Sequence, residues 1–353
     1  MSRLAGLLTR SWYAPQATAL SLALLPLSWV FGACATLRLA GYRRGLLHAT
    51  RLPVPVIVVG NITVGGAGKT PLVAAIAVAL RERGFRPGIV SRGYGRRSDD
   101  VRRVAAGDDA RDTGDEPLIL AETTGVPVWV GADRPAAAHA LLADSPDVDV
   151  IVADDGLQHY ALARDFEIAV VDGDRALGNS RLLPAGPLRE PPSRLESVDA
   201  VVMLGGTRAP AGDTAFTMQQ VPQSWRNVAN SARAFDDALL RDPATVAIAG
   251  IAHPDRFFAS LAAQGFVGRT QAFPDHHAYS RDDVAFPGAR AVLMTQKDAV
   301  KCRAFADARM WMLPIRADVD CALIDRIVEK LDGSQVARNA RVSRHERSAD
   351  PRS

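Results

Sequence analysis

The sequence predicts an α/β fold: a parallel sheet flanked by helices, a smaller C-terminal α/β domain, and an apolar helix at the N-terminus. Three observations carry that prediction. Short β-rich runs recur from Val54 onward, several alternate with stretches that read as helices, and a charge-free segment lies between Arg10 and Arg38. The 353 residues suffice for two cores. With 48% hydrophobic and 23% charged residues, most of the chain should be globular.

The apolar segment reads ATALSLALLPLSWVFGACATL, Ala17 to Leu37, long enough to cross a bilayer as a helix. Pro26 would kink it, and Trp12, Tyr13 and Trp29 suit an interface. Arginines flank both ends, Arg3 and Arg10 before it and Arg38, Arg43 and Arg44 after it. Charge therefore gives no orientation, which favours a segment lying in one leaflet or a shallow hairpin. Residues 1–45 are expected to form a membrane-associated helix. Two other readings compete: a signal peptide cleaved near ACA, and a helix buried in the fold.

Residues 46–205 are read as the first α/β domain. VPVIVVG, RPGIVS, VPVWVG, VDVIVAD, FEIAVVDG and VDAVVMLG are its strands; Thr70–Arg83 and Arg134–Ala143 are helices between them. Continuous apolar strands alternating with helices imply a parallel sheet covered on both faces. From about Gly205 to Asp242 the chain is more polar, and no element is assigned. The second domain spans 206–332. It opens with ATVAIAGI and continues with a helix from Pro254 to about Gln264. The strands AVLMTQ and RMWMLPI follow, then a helix from about Cys321 to Leu331. Residues 333–353 are polar and arginine-rich, and are expected to be disordered.

Between the first strand and the first helix stands TVGGAGKT, Thr63 to Thr70, one residue short of the phosphate-loop pattern G-x-x-x-x-G-K-[ST]. Thr63 occupies the first glycine position. Val64, Gly65, Gly66, Ala67 and Gly68 can present backbone N–H groups to phosphate oxygens. Lys69 can reach the β- and γ-phosphates, and Thr70 can ligate magnesium. The helix adds its positive N-terminal end. A nucleotide triphosphate is the expected anion, which makes the first domain P-loop NTPase-like. Asp154 and Asp155 end an apolar strand, where a carboxylate can hold magnesium directly or through water. TQKD, Thr295 to Asp298, is out of register for a guanine-reading [NT]-K-x-D, which favours ATP over GTP.

Phosphoryl transfer also needs a base for the attacking hydroxyl. GDEP offers Asp115 and Glu116 before a helix; FPDHHAY offers Asp275, His276 and His277 before another. Arg92 and Arg96 of SRGYGR and Arg189 of LLPAGPLRE are candidate clamps. The chain has only four lysines, Lys69, Lys297, Lys301 and Lys330, a slight pointer to lysine chemistry. Net charge of +3 is too mild to argue for nucleic acid, and no such partner is expected. No motif calls for an obligate protein partner. Cys34, Cys302 and Cys321 lack metal-site spacing and point to a reducing compartment.

Taken in order, VGNITVGGAGKTP, SRGYGR, GDEP, DDGLQH, LLPAGPLREP, AGIAHPDRFF, FPDHH and TQKDAVK resemble the tetraacyldisaccharide 4′-kinases, the lipid A 4′-kinases of Gram-negative bacteria. Eight such segments from Val59 to Lys301 make the resemblance specific, and the apolar N-terminus fits it. Two positions depart from the family pattern: asparagine often precedes the glycine pair that here follows Leu204, and glutamate often stands at Gln296. The resemblance implies transfer of the γ-phosphate of ATP, with Mg2+, to the 4′-hydroxyl of an acylated glucosamine disaccharide 1-phosphate. That would occur at the cytoplasmic face of the inner membrane. It also implies that Asp115 is the base and works with His276, one residue from each domain. Arg189 and Glu190 match a family motif near the phosphates. A membrane-associated regulatory NTPase is the alternative; it explains the loop and the apolar segment, but not Asp115 with His276.

Overall fold

The computed structural model describes residues 3–206 and 214–333. In chain order its first strands are β1 (Val56–Gly60), β2 (Pro87–Ser91), β3 (Arg102–Val104), β4 (Val128–Val130), β5 (Val150–Asp154), β6 (Phe166–Asp172) and β7 (Ala200–Leu204). The remainder are β8 (Ala215–Pro222), β9 (Arg226–Asn227), β10 (Val246–Ala249), β11 (Arg269–Ala272), β12 (Val292–Thr295), β13 (Met310–Leu313) and β14 (Ile315–Val319). The helices are α1 (Arg3–Trp12), α2 (Ala19–Ala23), α3 (Leu25–Arg43), α4 (Lys69–Glu82), α5 (Ala110–Thr113) and α6 (Asp115–Thr124). After them come α7 (Arg134–Asp144), α8 (Pro254–Ala263), α9 (Gln296–Cys302) and α10 (321–333).

Among the described residues, nine strands form one sheet in the order β14-β8-β7-β6-β1-β5-β2-β4-β3. Every residue of β1, β2 and β5 is buried, because the side chains of a central strand alternate between two covered faces. Ile57, Val59, Val150 and Val152 pack on one face with Leu72, Val73 and Ile76 of α4 and Leu118 of α6. Val56, Val58, Ile151 and Ala153 pack on the other with Ala137, Ala138 and Leu141 of α7. A second sheet, β11-β10-β12-β13-β9, carries its own two clusters, centred on Met294 and Trp311.

The wholly parallel sheet expected from the sequence is mixed: edge strand β3 pairs antiparallel with β4, and edge strand β14 antiparallel with β8. β8 and β9 lie in the polar stretch that received no elements. β8 alternates, with Phe216 and Met218 buried and Thr217, Gln219 and Gln220 exposed, so half its surface is polar. The chain also returns late to the large sheet. β14 joins it, and Leu323, Ile324, Ile327 and Leu331 of α10 pack into its core. The expected disordered tail, apart from Gly333, lies outside the described residues.

The apolar N-terminus is three helices rather than one. Thr18 caps α2 by accepting from the Ser21 N–H, and Pro26 sits in the first turn of α3, where proline is tolerated. Among the described residues no helix is long and apolar enough to cross a membrane. Side-chain hydrogen bonds tie these helices to the backbone of residues 182–185. Trp12 Nε1 donates to Pro184 O (2.8 Å), Ser21 Oγ to Ala185 O (2.7 Å) and Ser28 Oγ to Leu182 O (2.6 Å). The outward side is apolar: Leu27, Trp29, Val30 and Leu37 are all more than half exposed.

Candidate active site

β1 brings the chain to the C-terminal edge of the sheet, where the loops of parallel strands meet helix N-termini. Residues 61–68 curl there before Lys69 opens α4. Asn61 is fully buried and pins the curl. Its Nδ2 donates to Thr63 Oγ1 and to Gly65 O, both at 3.2 Å, and its Oδ1 accepts from Lys69 Nζ at 3.0 Å. Val64, Gly65 and Gly66 are exposed and Ala67 is buried. Gly68 has φ +77°, the left-handed conformation that favours glycine. The LLPAGPLRE segment lies along the curl: the Val64 N–H donates to Pro187 O (2.8 Å) and the Arg189 N–H to Ile62 O (2.7 Å).

Asp154 closes β5 beside this loop and Asp155 follows at φ +48°, a conformation costly for a non-glycine residue and frequent at functional sites. Asp155 Oδ1 lies 3.2 Å from Lys69 Nζ and 3.4 Å from Arg189 Nη1. Burial pushes the Asp155 carboxyl up, but Lys69 and Arg189 outweigh it and hold it below the usual range. Asp154 is fully buried. Ser91 Oγ donates to its Oδ2 (3.1 Å), while its Oδ1 has no partner. Burial, Glu116 and Asp155 push Asp154 up to about 7. An orphaned carboxylate oxygen next to a second carboxylate is a donor set that suits a hard cation such as magnesium, which needs only one or two protein carboxylates. Thr70, in the first turn of α4, adds a hydroxyl.

The Asp154 environment has a thermodynamic consequence. Its folded-state pKa lies above the carboxylate value of 3.8, so the folded chain binds the extra proton and Asp154 favours folding most at low pH. That contribution is lost as pH rises from about 4 through about 7. In chelator at pH 8, Asp154→Asn should therefore raise stability, on the order of 1–3 kcal/mol. Below pH 4 the gain should vanish. Paired thermal melts across pH check both statements.

A second constellation joins the two sheets. Asp115 begins α6 and is 6% exposed. The preceding Gly114, at φ +90°, packs on Gly93, where an added Cβ would come within 2.9 Å of the Gly93 backbone; SRGYGR and GDEP are thus pressed together. His276 lies in a turn at φ +58°, and the helix expected after it is only a short 3-10 turn, Asp282–Val284. Its Nδ1 is 3.2 Å from Asp115 Oδ2. Burial alone would raise the Asp115 pKa, yet the His276 hydrogen bond and Lys297 hold it below the usual range. The same bond raises His276.

The remaining expected residues are placed unevenly. Glu116 Oε1 pairs with Lys297 Nζ at 3.1 Å. Glu190 is buried, accepting from Gln158 Nε2 (3.1 Å) and the Tyr160 hydroxyl; Gln158, which also donates to Asn61 O (3.0 Å), links its carboxylate to the loop. Arg92 is exposed and makes no hydrogen bond or ion pair among the described residues. Sequence reasoning passed over Asn61, Gln158 and Lys297. Asn61 stood two residues before the loop, within VGNITVGGAGKTP. Lys297 had two signals, the scarcity of lysine and the TQKD motif, but that motif was weighed as a base reader and as one segment of the family resemblance, with no role given to its lysine. Here its Asp298 is wholly buried, accepting from the Gly250 N–H (3.0 Å), the Tyr279 hydroxyl (3.1 Å) and Thr295 Oγ1 (2.6 Å).

Comparison with known proteins identifies the family. Residues 20–332 match the family model described as tetraacyldisaccharide-1-P 4′-kinase, LpxK. The chain is 48% identical to the tetraacyldisaccharide 4′-kinase of Methylobacillus flagellatus, over 92% of this chain and 95% of that one. It is 51% identical to the tetraacyldisaccharide 4′-kinase of Dechloromonas aromatica, over 89% and 93%. Among solved structures it resembles LpxK from Aquifex aeolicus in complex with ATP, with a TM-score of 0.76 and 29% identity over 88% of this chain and 99% of that one. A match spanning nearly the whole chain, with relatives about half identical over most of their length, places this protein in the tetraacyldisaccharide-1-P 4′-kinase family.

Proposed function

We propose that this protein transfers the γ-phosphate of ATP to the 4′-hydroxyl of a tetraacylated glucosamine disaccharide 1-phosphate, a step of lipid A biosynthesis. The observation that carries the chemistry is the Asp115–His276 pair, contributed by the two sheets and formed at 3.2 Å. A nucleotide switch has no need of a buried carboxylate so paired, whereas an alcohol acceptor needs a proton acceptor.

In this reading the amides of residues 63–68 and Lys69 hold the β- and γ-phosphates, with Arg189, which shares Asp155 Oδ1 with Lys69, reaching the same anion. Thr70, Asp154 and Asp155 would hold magnesium, which when bound neutralises phosphate charge. Asp115 takes the proton from the attacking hydroxyl as the new P–O bond forms and the bond from the γ-phosphorus to the leaving ADP oxygen breaks. His276 keeps that carboxylate ionised and oriented. Glu116 and Arg92 line the approach.

The acceptor is a lipid, and the apolar surface of α2 and α3 gives the enzyme a foothold on it. We place the protein at the cytoplasmic face of the bacterial inner membrane, with this surface lying in the interface. Trp29→Glu together with Val30→Glu, both at exposed positions, should at least halve the fraction that sediments with anionic vesicles, while ATP binding stays unchanged. The decisive test of activity is transfer of label from γ-labelled ATP to purified tetraacyldisaccharide 1-phosphate in mixed micelles. ATP hydrolysis indifferent to that lipid would instead identify a switch.

A further inference from the structure

Lys297 lies at the centre of the second constellation, on α9, in the element that follows the buried strand β12. Its Nζ is 3.1 Å from Glu116 Oε1, 3.5 Å from Asp275 Oδ1, 3.8 Å from Asp115 Oδ2 and 3.4 Å from His276 Nε2. Its side chain is 18% exposed. An ammonium group at that depth, among three carboxylates, stays charged: burial pulls its proton affinity down, and Asp115, Glu116 and Asp275 more than restore it. Asp115 and Glu116 come from α6, on the large sheet; Asp275 and His276 come from the turn after β11, on the small one. One cation therefore ties groups from the two sheets together.

The histidine contact constrains the proton inventory. An ammonium group has donors only, so a 3.4 Å contact with Nε2 is favourable when Nε2 offers its lone pair. The ring proton of neutral His276 must then sit on Nδ1, where it meets Asp115 Oδ2. We propose that Lys297 is a positioning residue for the phosphate transfer: it draws α6 and the turn after β11 together and, through His276 Nε2, fixes the Nδ1–H form of the ring that orients Asp115. The inference rests on the reading of Asp115 as proton acceptor.

The groups facing the His276–Asp115 pair are few. Glu116 extends from α6, Asp275 from the same turn, Lys297 and Lys301 from α9, and the Tyr94 ring from SRGYGR, 5.0 Å from that of His276. Removing the nearest cation raises the proton affinity of both members. Lys297→Met should lower kcat about 30-fold or more at pH 7.5, with the KM for ATP within about threefold. It should also move the acid limb of the kcat–pH profile upward by about one unit, so that part of the loss is recovered at pH 9. Lys297→Arg keeps the charge and should leave the limb in place. A merely structural role would lower the yield or the melting temperature without moving the limb.

Wild-type kcat and an unmoved limb in Lys297→Met overturn the inference, as does a rate loss with the limb unmoved. Should the methionine variant not fold, 15N NMR of the wild-type ring decides: Nδ1–H with unprotonated Nε2 near pH 8 supports the assignment, and a neutral ring protonated on Nε2 overturns it. Asp115→Asn separates the two readings. If that variant keeps full activity, the proton-acceptor reading fails whatever Lys297 does. If it is inactive while Lys297→Met is normal, the positioning inference fails alone.

Discussion

Lys69→Ala lowers phosphate transfer about a thousandfold or more, the loss expected when a preorganised cation is removed from a charged transition state. Lys69 is the first residue of α4, held by its place in the chain over the curl that Asn61 braces. Its Nζ lies between Asn61 Oδ1 at 3.0 Å and Asp155 Oδ1 at 3.2 Å, with little of the side chain exposed. That mooring aims the charge at any polyphosphate seated on residues 63–68. Alanine removes the charge and leaves Asp155 with Arg189 alone, 3.4 Å away, so negative charge accumulates where phosphate must bind. Both ATP affinity and kcat should fall. Lys69→Arg should restore little, because a planar guanidinium cannot take the place of a compact ammonium between two oxygens. Single-turnover transfer and nucleotide titration, with a thermal melt to verify folding, check the claim. A Lys69→Ala enzyme with undiminished turnover would remove the phosphate-loop assignment.

What was legible in the sequence follows from where the information lies. The strands β1, β2 and β5 are buried on both faces, so their residues had to be continuously apolar, and they read as strands without ambiguity. The phosphate loop is a local motif whose chemistry depends on near neighbours. Edge strands carry weaker signals: β3 is two arginines and a valine, and β8 alternates with a polar face, so the antiparallel borders of the sheet were invisible. Tertiary pairings were legible only by resemblance. Nothing in the spacing of Asp115 and Lys297, 182 positions apart by their numbers, says that they meet; that contact exists because α6 and α9 pack against each other and Gly93 of SRGYGR lets Gly114 of the GDEP turn approach. The apolar N-terminus was read as one helix kinked at Pro26, and its break at Thr18 went unread. Thr18 and Pro26 divide it, and serines that looked incidental in the apolar run, Ser21 and Ser28, bind it to the backbone of residues 182–185.

Asp115→Asn keeps the shape of the second constellation and removes its base. It should cut kcat by about 10²–10⁴-fold, the range for loss of a positioned proton acceptor, and change the KM for ATP by less than about threefold, since the lost interaction belongs to the transition state. The pH profile carries the sharper statement. In the wild type Asp115 is held below the usual carboxylate range, so it is ionised throughout the neutral region. The acid limb then belongs to His276, whose affinity for a proton is raised first of all by its bond to Asp115. Once protonated, the ring turns that bond into an ion pair that drains the carboxylate of basicity, and its Nε2–H opposes the Lys297 ammonium, 3.4 Å away. Replacing Asp115 with asparagine removes the charge that raised His276, so the limb of the residual activity should move to lower pH. Replacing Lys297 with methionine removes the charge that lowered it and should move the limb the other way. A general disturbance of packing would shift both variants alike or neither, so opposite displacements in kcat–pH profiles measured side by side would identify His276 as the group through which both residues act. If the Asp115→Asn limb stays with the wild type, the ring does not govern the acid side, and the proton-accepting pair must be reassigned.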